Sequence, residues 1–515
     1  MIELKNVSFE YGCPEGAAGG IGETVSNGSL KNINLKINEG EFVLLTGGSG
    51  CGKTTILRLI NGLIPNFFEG KLEGSVTVNG FDVSHAELYD TAKSVSTVFQ
   101  NPRSQFFNVD TTSEIAFACE NQGMEEGEIL LRIDKIVSEL HLESLMNRSL
   151  FDLSGGQKQK IACASVAVTG NKIILLDEPS ANLDLRTIDE LASLLKKWKS
   201  EGKTIIVAEH RISYLWDLSD RTIVLKDGQI VRELSRGQMD KISESELHKL
   251  GLRTNKRSKD CPVKRDNDTL NQSDNDTSLL SHSSNTTVSP VDLQNLSHSG
   301  LTLGSPSTSF LTLQNFRYKY KNGYLALNIP QMQLPVGKIT AITGNNGDGK
   351  TTLLNCLCGL DRHSKGTLEY NGKYYNRRGR QKLIFLVMQD VNHQLFTESV
   401  LDEVLISQNE QNEEEARRIL ATLDLEQFAN RHPQSLSGGQ KQRVAVASAI
   451  ASGRDIMLFD EPTSGLDYIH MLQIGQILRS LKEQGKTVIV VTHDRELIKE
   501  CCDCEICLSD FNQIS

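Results

Sequence analysis

Leu153-Ser154-Gly155-Gly156-Gln157 and Leu436-Ser437-Gly438-Gly439-Gln440 are two copies of one pentapeptide, and the chain is laid out around them. Each copy opens an apolar stretch with helical spacing, Ile161, Ala164 and Ala167 in the first and Val444, Ala447 and Ile450 in the second. Ser154 and Ser437 therefore stand where an N-cap belongs. A helix start of this kind attracts phosphate, because its free N–H groups and positive dipole end face outward and the glycines allow close approach to the backbone. One copy alone would read as a loop leading into a capped helix. About twenty residues beyond each copy, however, an apolar run ends in two acids and a proline, Ile173-Ile174-Leu175-Leu176-Asp177-Glu178-Pro179 and Ile456-Met457-Leu458-Phe459-Asp460-Glu461-Pro462.

At 515 residues the chain has room for two or more domains, each able to bury its own core. No apolar run approaches the roughly 20 residues of a spanning helix, and Met1-Ile2-Glu3-Leu4-Lys5 lacks a basic, then apolar, signal region. A cytosolic protein is expected. The formal net charge of -10 argues against nucleic acid as a partner, since phosphate backbones need a basic stripe. The 11 cysteines are scattered, and a cytosolic compartment keeps such thiols reduced. Cys504 and Cys507 have C-x2-C spacing but no second pair or His nearby, and their segment matches Leu218 to Val224 of the first half. Small buried hydrophobes at the start of a strand are the better account. Asn-x-Ser/Thr triplets at Asn267, Asn275 and Asn285 read as polar linker.

The first half begins with an alternating strand from Leu4 to Tyr11, repeated from Leu313 to Tyr320. A Gly-rich insertion from Gly12 to Gly28 has no counterpart of similar length and reads as a surface loop. The strand Phe42-Val43-Leu44-Leu45-Thr46 then runs into Gly47-Gly48-Ser49-Gly50-Cys51-Gly52-Lys53-Thr54, followed by Thr55 and a helical pattern. The second half supplies Gly344-Asn345-Asn346-Gly347-Asp348-Gly349-Lys350-Thr351, followed by Thr352. Both fit Gly-x4-Gly-Lys-[Ser/Thr] between a strand and a helix. In such a loop the glycines let successive N–H groups curl around phosphates, the lysine neutralises the β and γ oxygens, and the threonine hydroxyl ligates Mg²⁺. Cys51 lies beside Lys53 and a helix start, which should favour its thiolate. A thiol alkylator is then expected to inactivate the first loop and spare the second, where Asp348 takes that place.

Asp177 and Asp460 end apolar strands, where α/β sheets gather their ligand chemistry. His210 and His493 each follow another strand. The histidines, the aspartates and the pentapeptide serines are all 283 residues apart, so these parts repeat without a net gap. A switch contact to a γ-phosphate is thereby favoured over a structural histidine. From about Lys256 to Ser309 the composition turns to Ser, Asn, Asp and Thr without periodicity, the mark of a disordered linker. Some fifty such residues span on the order of 40 Å. The resulting division is residues 1–252, a linker 253–309, and 310–515.

This order of parts resembles the ATP-binding cassette (ABC) ATPases. The resemblance covers nearly everything except the linker and the loop from Gly12 to Gly28. It implies an α/β fold with two tandem P-loop NTPase domains, each with a mainly parallel sheet core, an antiparallel β part and a helical subdomain carrying the signature. It implies ATP and Mg²⁺ as cofactors. By the same resemblance Tyr11 and Tyr320 stack on adenine, unless they only pack at a strand end. Asp177 and Asp460 hold Mg²⁺, Gln100 and Gln389 reach the metal and the attacking water, and Glu178 and Glu461 orient and deprotonate that water. Ser180 to Asp184 and Ser464 to Asp467 match the loop through which paired domains meet. Head-to-tail pairing would join Lys53, Asp177, Glu178 and His210 to Ser437 and Gly438, with Gly439 and Gln440 behind them. The other site would join Lys350, Asp460, Glu461 and His493 to Ser154 and Gly155, with Gly156 and Gln157 behind them. No key position is missing from either set.

The spacing of Gln100 with Gln105, and of Gln389 with Gln394, narrows the likeness to the fused double ATPase of energy-coupling factor importers. Those take up vitamins or transition-metal ions from the cytoplasmic face of the membrane, with a transmembrane coupling protein and a substrate-binding component as partners. Gln105, Phe106 and Phe107, and Gln394, Leu395 and Phe396, are then expected on short helices capped by Asn101 and Asp390 and turned toward that partner; the alternative is that the aromatics pack inside their own domains. Two other kinds of protein share the layout of two such domains on one chain. One is the double ATPase of sugar importers, whose second site is commonly altered. The other is the soluble ABC-F translation factor, whose linker is long, charged and helical where this one is polar.

Overall fold

The computed structural model describes residues 1–12, 28–181, 183–256, 286–287, 309–321, 323–436 and 438–513. The insertion between Gly12 and Gly28, most of the linker, Asn182 and Ser437 lie outside the described residues. The chain divides into two compact units, Met1–Asp260 with Gly465–Ile469, and Cys261–Ser464 with His470–Ser515.

In the first unit an open sheet runs in the order Gln229–Ser235, Arg221–Lys226, Phe42–Gly47, Thr204–Ala208, Ile173–Asp177, Val95–Val98. All neighbours are parallel except the first pair. The central strands are buried at every residue, which explains their apolar runs: one face of the sheet packs against helices, and the other against the helix Lys53–Ile60 and a smaller antiparallel sheet. The helix Leu185–Ser200 shows how that cover is built. Ile188, Leu191, Ala192, Leu195 and Trp198 fall on one face and are buried, while Asp184 caps the start by accepting from Thr187 N at 2.8 Å.

A smaller antiparallel sheet follows the order Leu30–Ile37, Ile2–Tyr11, Gly70–Val78, Phe81–Asp82. Ile2, Leu4, Val7 and Phe9 form its buried row. Helices Thr111–Asn121, Glu126–Leu140 and Gly155–Ala167 make the helical part.

The second unit repeats the plan. Its parallel sheet is ordered Cys504–Cys507, Ile339–Thr343, Thr487–Val491, Ile456–Asp460, Ile384–Val387, with Thr286–Thr287 beside the first of these. The cysteine segment is thus a strand at the sheet's side, with Cys504 buried, as the match to the first half predicts. An antiparallel sheet of Leu325–Pro335, Phe310–Lys319, Lys365–Tyr370 and Lys373–Tyr375 completes it. The strand order matters for chemistry. In each unit the strand leading to His210 or His493 lies between the glycine-loop strand and the acid strand, so the three sets of functional residues emerge side by side at one sheet end.

Candidate active site

The loop between Phe42–Gly47 and the helix Lys53–Ile60 takes left-handed backbone at Gly47, Gly50 and Gly52, where glycine is favoured. Gly47 has φ 146°, and a Cβ there would meet Leu225 O at 2.1 Å. Gly52 precedes the helix at φ 101°; no side chain caps that helix and no acid stands in its first turn. In the second unit Gly349, at φ 90°, opens Lys350–Leu357 in the same way. Uncapped N–H groups beside a lysine suit an anion.

Lys53 is 4% exposed and donates from Nζ to Gly47 O at 3.1 Å and Gly48 O at 2.9 Å. Lys350 bonds Gly344 O and Asn345 O, both at 2.8 Å. Behind the lysines, Thr54 Oγ1 donates to Asp177 Oδ1 at 3.0 Å, and Thr351 Oγ1 donates to Asp460 Oδ2 at 2.8 Å. Burial, and then the neighbouring Glu178 charge, push the Asp177 carboxyl up to about 7. Burial also raises Asp460. Hydroxyl and carboxylate oxygens are hard donors, and a cation among them would restore the ionised acids. Among the described residues no group of three or more His, Cys, Asp and Glu could hold a metal alone. The hydroxyl and carboxylate present at each loop are a donor set that suits Mg²⁺, which takes one or two carboxylates and completes its shell with phosphate oxygens and water.

Glu178 and Glu461 both adopt left-handed backbone, at φ 42° and 49°, with their N–H groups donating to Ala208 O and Val491 O at 2.8 Å. Such a conformation is uncommon for glutamate, and its recurrence at both acids marks a constrained turn. Gln100 Nε2 donates to Glu178 Oε2 at 2.7 Å. His210 Nε2 lies 3.2 Å from Glu178 Oε1 and 3.3 Å from Lys53 Nζ. Burial opposes ionisation of Glu178, but His210 and Lys53 outweigh it and hold the carboxyl below its usual range. In the second unit His493 Nε2 is 3.6 Å from Glu461 Oε1. Lys53, Thr54, Gln100, Asp177, Glu178 and His210 thus form one connected group.

The remaining predicted residues take their own places. Tyr11 Oη pairs with Thr55 Oγ1 at 3.1 Å and accepts from Arg58 Nη1 at 3.0 Å. Tyr320 Oη pairs with Thr352 Oγ1 at 2.8 Å and is 43% exposed. Ser154 caps Gly155–Ala167 in a reciprocal box, accepting from Gln157 N at 3.3 Å while Gln157 Oε1 accepts from Ser154 N at 2.9 Å. The second signature helix runs Gly438–Ala451.

Two expectations need correction. Cys51 is only 5% exposed, and burial raises its thiol; Lys53 offsets that only in part, so the environment does not favour a thiolate. Gln105 and Gln394 do not turn outward. Gln105 Oε1 accepts from Phe99 N and its Nε2 donates to Ala162 O, while Gln394 Oε1 accepts from Met388 N and its Nε2 donates to Leu386 O. Leu395 is buried. Phe107 and Phe396, by contrast, are 76% and 73% exposed, each just beyond a one-turn helix, Pro102–Gln105 or Val391–His393.

Sequence reasoning missed the acids that hold these aromatics. Glu114 Oε2 accepts from Phe107 N and Asn108 N at 3.0 and 2.8 Å, and Glu403 Oε2 accepts from Phe396 N and Thr397 N, both at 3.0 Å. Both glutamates are buried and stand seven residues after their phenylalanine, a spacing shared by the two halves. Glu209 was missed as well.

A family model described as "ABC transporter" matches residues 30–181 and 327–464. A Treponema denticola protein provisionally named an ABC transporter ATP-binding protein is 42% identical, over 99% of this chain and 95% of its own. A Methanosarcina acetivorans protein of the same name is 31% identical, over 97% and 83%. The solved complex of an archaeal ribosome recycling factor with a ribosomal stalk protein matches at TM-score 0.57 and 21% identity, over 93% of this chain and 85% of that one, a likeness of fold. Matches that span both glycine loops, both acid pairs and the whole length leave one assignment: the chain belongs to the ABC transporter family, as an ATP-hydrolysing enzyme with two ABC ATPase domains.

Proposed function

We propose that this chain is the energy-coupling ATPase of a membrane importer, of the energy-coupling factor kind that takes up a vitamin or a transition-metal ion. Its partners in this reading are a transmembrane coupling protein and a substrate-binding component, met at the cytoplasmic face of the membrane, and its two halves act as a pair. No helix among the described residues is long and apolar enough to cross a membrane, so contact must be made through the surface.

Lys53 and Lys350 neutralise the phosphates in their loops, Tyr11 and Tyr320 face adenine, and the signature residues Ser154 to Gln157 and Ser437 to Gln440 serve the nucleotide. Glu178 and Glu461 orient and deprotonate water, and His210 and His493 meet the γ-phosphate. Thr54, Gln100 and Asp177, and Thr351, Gln389 and Asp460, would hold Mg²⁺, which supplies positive charge against the phosphate oxygens.

The observation that carries the importer reading is the pair of exposed phenylalanines. Phe107 stands on a short path from the chemistry: Gln100 touches Glu178, Gln105 ties the loop back to Phe99, and buried Glu114 fixes the Phe107 backbone. A large apolar ring held rigidly in the open has the character of a docking contact. Replacing Phe107 and Phe396 together with Ala should weaken copurification of the membrane partner and abolish uptake, while thermal stability and the ATPase activity of the isolated chain stay near the parent. Full uptake in the double variant would place the coupling surface elsewhere. Identifying the integral membrane proteins that copurify with the parent chain tests the importer subtype.

A further inference from the structure

Glu209 is 2% exposed and lies at the end of the strand Thr204–Ala208, immediately before His210. Its carboxylate is fully engaged. Oε1 accepts from His210 N at 2.8 Å and Arg211 N at 3.1 Å, while Oε2 accepts from Ser180 N at 3.2 Å and Tyr214 Oη at 3.0 Å. One buried side chain therefore ties the turn that carries His210 to the segment that follows Glu178. The backbone bond from Glu178 N to Ala208 O joins the same two segments. The side-chain contact between His210 Nε2 and Glu178 Oε1 then closes a ring.

The second unit solves this differently. Thr492 occupies the equivalent position, 283 residues on, and there Glu461 itself takes the backbone contact: its Oε2 lies 3.4 Å from both His493 N and Thr492 Oγ1. Asp494 braces that turn from two residues further along, accepting from Thr463 Oγ1 at 2.7 Å. In the first unit a dedicated acid holds the histidine turn, and the Glu178 carboxylate is left to Gln100 and the His210 ring. In the second the acid assigned to water also helps hold the turn.

We infer that Glu209 is a positioning residue for ATP hydrolysis at the first phosphate loop, fixing the His210 turn so that the imidazole is held against Glu178 and Lys53. A buried carboxylate accepting four donors resists reorganisation, and fixed polar groups are what keep an active site aligned as charge develops. The inference rests on the assignment of Glu178 and Glu461 as the acids of hydrolysis.

The test uses the full chain carrying Glu461→Gln, which confines turnover to the first loop. Adding Glu209→Gln keeps the shape but sets an NH₂ group against donors. We expect kcat to fall roughly tenfold or more with KM for ATP within about twofold, because alignment and not ground-state binding is lost. Glu209→Asp, which keeps the charge, should recover part of kcat at equal KM. The thermal midpoint is measured on each variant, and if the Gln variant is unfolded at the assay temperature the Asp variant is compared with the parent by the same kcat and KM criteria. An unchanged kcat in Glu209→Gln, or a rise in KM alone, overturns the inference. In the same background Glu178→Gln should remove the remaining turnover; survival there refutes the assignment of the acids rather than the role of Glu209.

Discussion

His210 Nε2 lies 3.2 Å from Glu178 Oε1, whereas the corresponding distance from His493 to Glu461 is 3.6 Å. The shorter contact belongs to the half in which Glu209 accepts the His210 N–H, and the longer to the half in which Glu461 lies nearest the His493 N–H. Contacts of Glu461 Oε2 with His493 N and Thr492 Oγ1 orient that carboxylate, and its other oxygen, Oε1, stands farther from the ring. The two halves thus carry the same functional residues with different support behind them.

Both acids should nevertheless be required for full turnover. Glu178→Gln and Glu461→Gln each keep the size of the side chain and remove the proposed base, which should lower the turnover of that half by about 100-fold or more while nucleotide binding is retained. Steady-state ATPase assays alongside equilibrium nucleotide binding separate the two effects. If one substitution leaves total activity untouched, that half binds ATP without hydrolysing it under assay conditions.

Cys51 should label slowly. With its thiol raised above 9 by burial, the thiolate is scarce near neutrality, and the rate of alkylation should climb as pH rises past 9. Cys507, the least buried of the described cysteines, should label before the other described ones. Peptide mass mapping over a pH series reads both sites. Full labelling of Cys51 at pH 7 in the folded protein would show that Lys53 outweighs burial after all.

The glycine loops, the acids and the histidines were legible in the sequence because their residue types are forced by backbone geometry or by charge chemistry at fixed spacing. Gly47 must be glycine because its backbone lies at φ 146° and a Cβ there collides with Leu225 O. The errors fall where direction and solvation decide. Spacing places Gln105 on an exposed-looking turn, but an amide satisfies both ends by folding back on Phe99 N and Ala162 O. Cys51 sits beside a lysine in the sequence, yet its depth in the fold decides its chemistry. Glu209 belongs to no motif: only the fold brings Ser180 N, 29 residues away in the chain, to the carboxylate that also takes His210 N, Arg211 N and Tyr214 Oη.

Glu114 offers a test of the exposed aromatic that does not touch the ring. Removing a buried acceptor from two N–H groups costs about 1–3 kcal/mol, so Glu114→Ala should lower the thermal midpoint modestly. It should also loosen the Phe107 loop, reducing copurification of the membrane partner while nucleotide affinity is unchanged. Glu403→Ala should act in the same direction on Phe396. Undiminished partner binding in both variants would show that the phenylalanines need no fixed backbone to dock.

Asp177 should cost the nucleotide-free, metal-free protein stability at pH 7 and above. Its folded value, about 7, lies above the ordinary 3.8, so the fold prefers the protonated acid. Below about pH 4 the group is protonated folded and unfolded, and nothing is lost. Between about pH 4 and 7 the unfolded chain ionises while the folded chain keeps its proton, and stability falls, by on the order of 4 kcal/mol at most. Above about 7 the loss is complete. Asp177→Asn keeps the acceptor for Thr54 Oγ1 without the charge. In EDTA and without nucleotide, the Asn variant should therefore unfold at a higher temperature than the parent at pH 8 and at nearly the same temperature at pH 4. Its turnover at the first loop should be lost in the presence of Mg²⁺. A midpoint difference that does not grow with pH would mean that Asp177 ionises in the folded chain as readily as in the unfolded one, through charge compensation from Lys53 and Arg58 stronger than its burial.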